Sequence, residues 1–424
     1  MYNYTNTKET FQVKRDIINY AKKIGNLTRK PTQKLCQNMC YGILSSKSCH
    51  LSNIGRHLKE TTKLKNTIDR LSDNLANLDK EEVCKIKDNY FDEVENYLPE
   101  GDVVVLNDDS DLNKEYSEKL EDLCVVKDAS SRDEKYVNGY KVCEYVTLSK
   151  NTKTPISLYS KIYSTESKDF ISENNETIKG EEEVIKLLEK ANRKPIFVRD
   201  RGYDANEYFT RDIKSDTKFV TRLKGNRNLI FKNKSKNVLE ASKERKGKIV
   251  ATVKYLGEKR KCSISYTRVK LPAYKEKEIS LVTVHELGDE PMMLLTNLDV
   301  KDKESALYVV KLYLLRWRIE EYFKAKKAYN WENSLLRTLT SMNNLNMFLT
   351  QAMFYMTTVI EKIDKNFLSN IILERACLLK EDLLLYLSAI STGIVEILKY
   401  ARTGIKEWQN IEHREKYKQL SLRI

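Results

Sequence analysis

The chain has 424 residues, 41% hydrophobic and 32% charged, which is more than one ordinary domain needs and enough apolar side chain for a real core. Against 61 Asp and Glu stand 75 Lys and Arg, and the formal net charge of +14 points first to nucleic acid as a partner and second to an anionic membrane surface. The most apolar stretch, Met347 to Ile360, is too short to span a bilayer and the N-terminus has no apolar run behind a basic start, so no membrane segment or signal peptide is expected and the protein should stay in the cytoplasm.

Residues 1 to about 98 read as helices. From Leu51 onward two amphipathic segments flank a polar stretch at Glu60 to Thr62, and the second carries Lys63, Lys65 and Arg70 beside Leu64, Ile68 and Leu71 at helical spacing. Such a pair suits a DNA-binding helix pair or a charged member of a small bundle. Cys36, Cys40, Cys49 and His50 lie close together, but their spacing matches no familiar zinc site, and buried free thiols are the simpler expectation for all eight cysteines.

At Asp102 the texture changes. VVVLN reads as a buried strand ending at Asp108, and Tyr140 to Leu148 and Pro155 to Tyr163 read as two more strands. Gly180 to Asn192 has acids in its first turn and an apolar side, as a helix does. A fourth strand, Pro195 to Val198, ends on Arg199-Asp200-Arg201-Gly202, and Thr217 to Leu223 makes a fifth. Three strands, a helix and a fourth strand follow the order of the ribonuclease H-like fold, in which the first and fourth strands are neighbours and bring their terminal acids together. Gly247 to Leu298 is again β-rich, after a basic stretch expected to be a loop or a short surface helix, and Pro272 divides its strands. Helix is expected to return at Lys303, to run unbroken to about Lys327, and to dominate the rest of the chain.

The segment YLLRWRIEEYFKAKK begins at Tyr313. On a helical wheel Tyr313, Arg316, Glu320 and Lys327 share one sector, beside an apolar stripe of Leu312, Leu315, Ile319 and Phe323. Glu321 points about 100° away from Glu320. By periodicity alone this is also how an ordinary salt-bridged surface helix looks.

The spacing Tyr-x2-Arg-x3-Glu-x6-Lys, with the local text RWRIEEYFKAKK, resembles the signature of the DDE transposases of the fourth-numbered bacterial insertion-sequence family. Two further blocks agree in order: LNDDSDLNK resembles the family's first block, placing its acid at Asp108, with Asp109 and Asp111 as alternatives, and DRGYD resembles the second, with its acid at Asp200. The resemblance implies a cut-and-paste transposase whose Asp108, Asp200 and Glu320 are both the catalytic acids and the ligands of two Mg²⁺ ions, which Mn²⁺ can replace. It implies that Tyr313, Arg316 and Lys327 grip DNA near the cleaved end while a hairpin forms there. It also implies double-stranded partners, the terminal inverted repeats and target DNA, and a homodimer in a synaptic complex. Trp317 and Tyr322 are base-stacking or core aromatics, and Lys224 and Arg227 are phosphate-contact candidates or solvated charges.

The expected organisation is a helical DNA-binding domain at 1–98 and a ribonuclease H-like α/β catalytic core at 99–228 and 299–335. A β-rich insertion at 229–298 interrupts that core, and a helical region at 336–424 is a candidate for dimerisation. Hard divalent cations want oxygen ligands, which three carboxylates supply, and the four histidines (50, 57, 285 and 413) are too scattered for a histidine-based alternative. Three rival readings remain: a transposase-derived DNA-binding protein that no longer cuts, another ribonuclease H-like nuclease, and a structural or membrane-surface role for the basic charge.

Overall fold

The β-branched and aromatic residues concentrated after Asp102 assemble into one mixed sheet. The computed structural model describes residues 2–128, 135–243, 247–255, 257–377 and 386–406. Among them twelve strands are found: β1 (Asp102–Asn113), β2 (Cys124–Lys127), β3 (Tyr136–Leu148), β4 (Pro155–Tyr163), β5 (Lys194–Arg199), β6 (Lys218–Arg222), β7 (Asn228–Phe231), β8 (Lys234–Asn237), β9 (Ile249–Tyr255), β10 (Glu258–Leu271), β11 (Tyr274–His285) and β12 (Met292–Thr296). Their order across the sheet is β2-β3-β1-β5-β6-β12-β11-β10-β7-β8, with β4 also on β3 and β9 also on β10. The β1–β5 and β5–β6 pairs are parallel. Each needs a crossover, and helices α6 (Glu173–Lys190) and α7 (Asn206–Lys214) provide them.

Three local expectations change. β1 does not end at Asp108 but runs on to Asn113, because its far half pairs with β3. The short β2 extends that hairpin. The basic stretch after Asn228 forms the β7–β8 hairpin before a short helix, α8 (Val238–Lys243). Lys232 and Asn233 turn that hairpin with φ of 47° and 64°, the left-handed pair that a two-residue hairpin turn favours. Strands β9 to β12 fall where the sequence places them, and β12 lies antiparallel on β6, so they extend the same sheet.

Helices cover the sheet. α6 lies over β3, β4 and β5, and Gly180 permits this approach, since a Cβ there would sit 2.7 Å from Tyr145 and 2.8 Å from Tyr159. The outer edge of β4 is closed by Asn343, whose amide and carbonyl both bond the Ile162 backbone at 2.9 Å. Asn343 belongs to α11 (Leu339–Ile360), an apolar helix buried along most of its length. Around α11 gather α1 (Tyr2–Ile24), α2 (Lys30–Ser46), α3 (Leu51–Leu58), α4 (Leu64–Ala76), α5 (Lys80–Glu95), α12 (Phe367–Arg375) and α13 (Tyr386–Leu398). The N-terminal and C-terminal helices therefore share one layer, tied further by Lys14, whose ammonium donates to the carbonyls of Thr403 (2.7 Å) and Gly404 (3.2 Å). Residues 378–385 and 407–424 of the expected C-terminal helical region lie outside the described residues. Cys36, Cys40 and Cys49 are buried free thiols in this layer, as are Cys124, Cys143 and Cys262 elsewhere, while Cys84 and Cys377 are exposed and also free. Among the described residues no helix is long and apolar enough to cross a membrane.

The expected continuous helix from Lys303 is two: α9 (Lys303–Leu314) and α10 (Trp317–Lys327). Leu315 and Arg316 keep helical dihedrals, but the amides of Leu315, Arg316, Arg318 and Ile319 bond three residues back. Tyr313, on the α9 side of that tightened turn, still faces Arg316 and Asp200.

Candidate active site

The parallel pairing of β1 with β5 ends at Leu106 opposite Val198. Asp108 and Asp200 each lie two residues further along, so the register itself sets the two acids side by side. Side chains alternate across a strand, and Asp108 shares its face with α10, where it meets Arg316. Asp109 and Asp111 point the other way, Asp109 toward Tyr203 and Cys143 and Asp111 toward Lys141 and Glu173. The pleat therefore separates Asp108 from the other two acids of its block.

Arg316 brings the third acid in. Its Nη1 lies 3.2 Å from Asp108 Oδ2 and 3.4 Å from Glu320 Oε1, the latter an i,i+4 pair across the start of α10. Asp200 is within electrostatic reach of both Asp108 and Arg316. One cation thus faces three carboxylates. Burial pushes the Asp108 carboxyl up to about 7; Arg316 pulls it down, and Asp200, Glu320 and Asp109 push it further up. Glu321, the neighbour of Glu320, bonds Arg318 at 2.7 Å on another side of the helix.

The turn after β5 is built to hold Asp200. Its Oδ1 accepts the Gly202 amide at 2.6 Å, and a Cβ at Gly202 would lie 2.9 Å from that same oxygen, so glycine fits here for lack of a side chain. Asp204 closes the turn by accepting the Lys224 amide (2.7 Å) and the Arg227 Nε (2.7 Å). Beneath it, Arg199 is fully buried and paired with Asp212 at 2.5 Å and with Glu181, which also binds Arg211.

The remaining sequence candidates divide. Tyr313 is buried, and its hydroxyl faces Arg222 at the end of β6, Arg316 and Asp200. Lys327 is partly exposed and pairs with Glu332 at 3.2 Å. Lys224 keeps an exposed side chain. Arg227 is not a solvated charge: its guanidinium is held by Asp204 and by Asn206 (2.6 Å) and stacks over Phe209, which braces the Asp200 turn. Tyr322 is core, whereas Trp317 is exposed with the Lys324 ammonium 5.7 Å from its ring centroid. Sequence reasoning passed over Arg222, Glu144 and Lys326. Arg222 carried a signal in standing at the end of a strand parallel to the Asp200 strand; the other two carried none.

The donor set suits a hard divalent cation, since it consists of carboxylate oxygens with no sulfur or imidazole among them. Among the described residues, however, no group of three or more His, Cys, Asp and Glu is clustered closely enough to hold a metal as it stands. The family model for the transposase DDE domain matches residues 130–356, a span that includes Asp200 and Glu320 and begins after Asp108. No curated protein matches the chain.

Proposed function

The chain belongs to the transposase DDE-domain family, and we propose that it binds the inverted-repeat ends of an insertion sequence and cuts and joins DNA there with Asp108, Asp200 and Glu320. The observation that carries this reading is the convergence of three carboxylates from β1, from the turn after β5 and from α10 around the single guanidinium of Arg316. The order β4-β3-β1-β5-β6 within the larger sheet supports a ribonuclease H-like core, with β7 to β12 as its insertion.

In this reading Asp108, Asp200 and Glu320 hold two Mg²⁺ or Mn²⁺ ions. Bound there, such ions activate the attacking oxygen and stabilise the leaving oxygen of an in-line displacement at phosphorus. The chain's own residues set the geometry. The β1–β5 register fixes the spacing of the two aspartates, and the Gly202 amide orients the Asp200 carboxylate. Arg316 offers a planar fork of donors that suits a phosphate as well as the two carboxylates it now bridges. Tyr313, Lys327 and the exposed Lys224 are further contacts for the DNA end, and the surplus of basic residues supplies sequence-independent affinity. Cut-and-paste transposition through a hairpin intermediate, in a homodimer holding two ends and the target, completes the proposal. The helices at 1–98 are its DNA-binding part and those after 336 its candidate dimer contact.

The test uses linear DNA carrying the sequences that flank the gene. The wild-type chain should nick and release the ends only with Mg²⁺ or Mn²⁺ present. Glu320→Gln should lower cleavage by at least ~10³-fold with end binding retained, while Glu321→Gln cleaves as wild type. Equal cleavage by Glu320→Gln and wild type would overturn the assignment.

A further inference from the structure

We propose that Lys326 and Glu144 are a positioning pair that fixes where α10 presents Glu320; this rests on the reading of Glu320 given above. Both side chains are completely buried, with Lys326 Nζ 2.6 Å from Glu144 Oε2. The carboxylate also accepts hydrogen bonds from Ser157 Oγ (2.5 Å) and Ser160 Oγ (2.7 Å). Ser160 accepts in turn from Lys326 (3.0 Å) and Asn346 (2.7 Å), and the ammonium lies over the rings of Trp331 (4.7 Å) and Tyr322 (5.6 Å).

Two facts make this more than a core detail. Glu144 is the direct register partner of Asp108 across β1 and β3, so the pair ties α10 to the strand position beside the first acid. Lys326 is six residues beyond Glu320 on the same helix. Of the other buried residues of α10, Ile319 and Phe323 hold it by packing, which is non-directional, and Tyr322 adds only a neutral hydroxyl facing Thr350 and Ser157. A helix held that way can tilt or shift at the tightened turn that joins it to α9, which would carry Glu320 away from Asp108 and Asp200. A directed charge pair opposes such a shift. For stability alone an apolar pair would serve as well or better, because desolvating two charges offsets most of their attraction. What the charges add is a defined place for the helix.

The double variant Glu144→Met with Lys326→Met removes both charges and should melt close to wild type, whereas Lys326→Met alone strands a buried carboxylate and should melt far lower. Binding of Mn²⁺, read from the electron paramagnetic resonance of the free ion, should weaken about tenfold in the folded double variant, toward the affinity of Glu320→Gln, with end binding unchanged. Glu144→Gln, which keeps a carbonyl acceptor for Lys326 and Ser160, provides a second variant and should weaken Mn²⁺ binding about threefold. Wild-type Mn²⁺ affinity in the folded double variant, or in Glu144→Gln should the double variant not fold, overturns the proposal. If wild type and Glu320→Gln bind Mn²⁺ equally, the metal role of Glu320 is what fails. The positioning claim is then read from hydrogen exchange of the Trp317–Lys327 amides, expected to be about tenfold faster in the folded variant; unchanged exchange overturns it.

Discussion

Arg199 and Asp200 are consecutive residues, yet they serve two opposite kinds of ionic cluster. Arg199 points into the interior, where with Arg211 it meets Glu181 and Asp212, two cations for two acids, and three of the four side chains have no exposure. Asp200 faces the open side, where Asp108 and Glu320 join it around Arg316 and the acids outnumber the cation. A balanced, sealed cluster holds elements in place. A partly open cluster left with excess negative charge leaves its acids uncompensated, and in the function proposed above a divalent cation from outside makes up the difference.

The largest expected effect breaks the sealed cluster. Arg199→Met leaves Glu181 and Asp212 buried with Arg211 as their main counter-charge, and should cost about 3–5 kcal/mol of stability in urea unfolding. Loss below 1 kcal/mol would mean that water reaches the cluster. The next effect has the opposite sign and belongs to the open cluster. Asp108 holds its proton up to about pH 7 in the fold, well above the ordinary carboxylate value near 3.9. The folded state therefore binds that proton more tightly than the unfolded chain, and its ionisation withdraws stability as pH rises from about 4 to about 7. With divalent ions chelated, Asp108→Asn should match wild type near pH 4 and be more stable by about 1–2 kcal/mol at pH 8, the full shift being discounted for partial exposure. A variant no more stable than wild type at pH 8 would contradict the claim of uncompensated charge.

Much of this was legible in the sequence, for identifiable reasons. Strands such as Pro155 to Tyr163 declare themselves by local alternation, and strand order then implies that Asp108 and Asp200 are neighbours. The resemblance puts the first acid at Asp108, at an expected strand end with a serine two residues on; β1 instead continues to Asn113, and its pleat sets Asp108 on the face opposite Asp109 and Asp111. Arg227 and Lys326 were opaque for another reason. Nothing local tells a lysine in KAKK that will be buried against Glu144 from its exposed neighbour Lys327, because the partner is 182 residues away. The break between α9 and α10 was equally hidden, since Leu315 and Arg316 are good helix formers and only a tightened turn separates the helices.

The central claim is that Asp108, Asp200 and Glu320 share a divalent cation. Fe²⁺ in place of Mg²⁺, with ascorbate and peroxide, generates radicals that cut the polypeptide next to the bound ion. The account predicts three cleavage zones, at β1 near Asp108, at the turn after Arg199 and at the start of α10, all suppressed by excess Mg²⁺ and by Glu320→Gln. Cleavage confined to other segments, or unaffected by Mg²⁺, would contradict it.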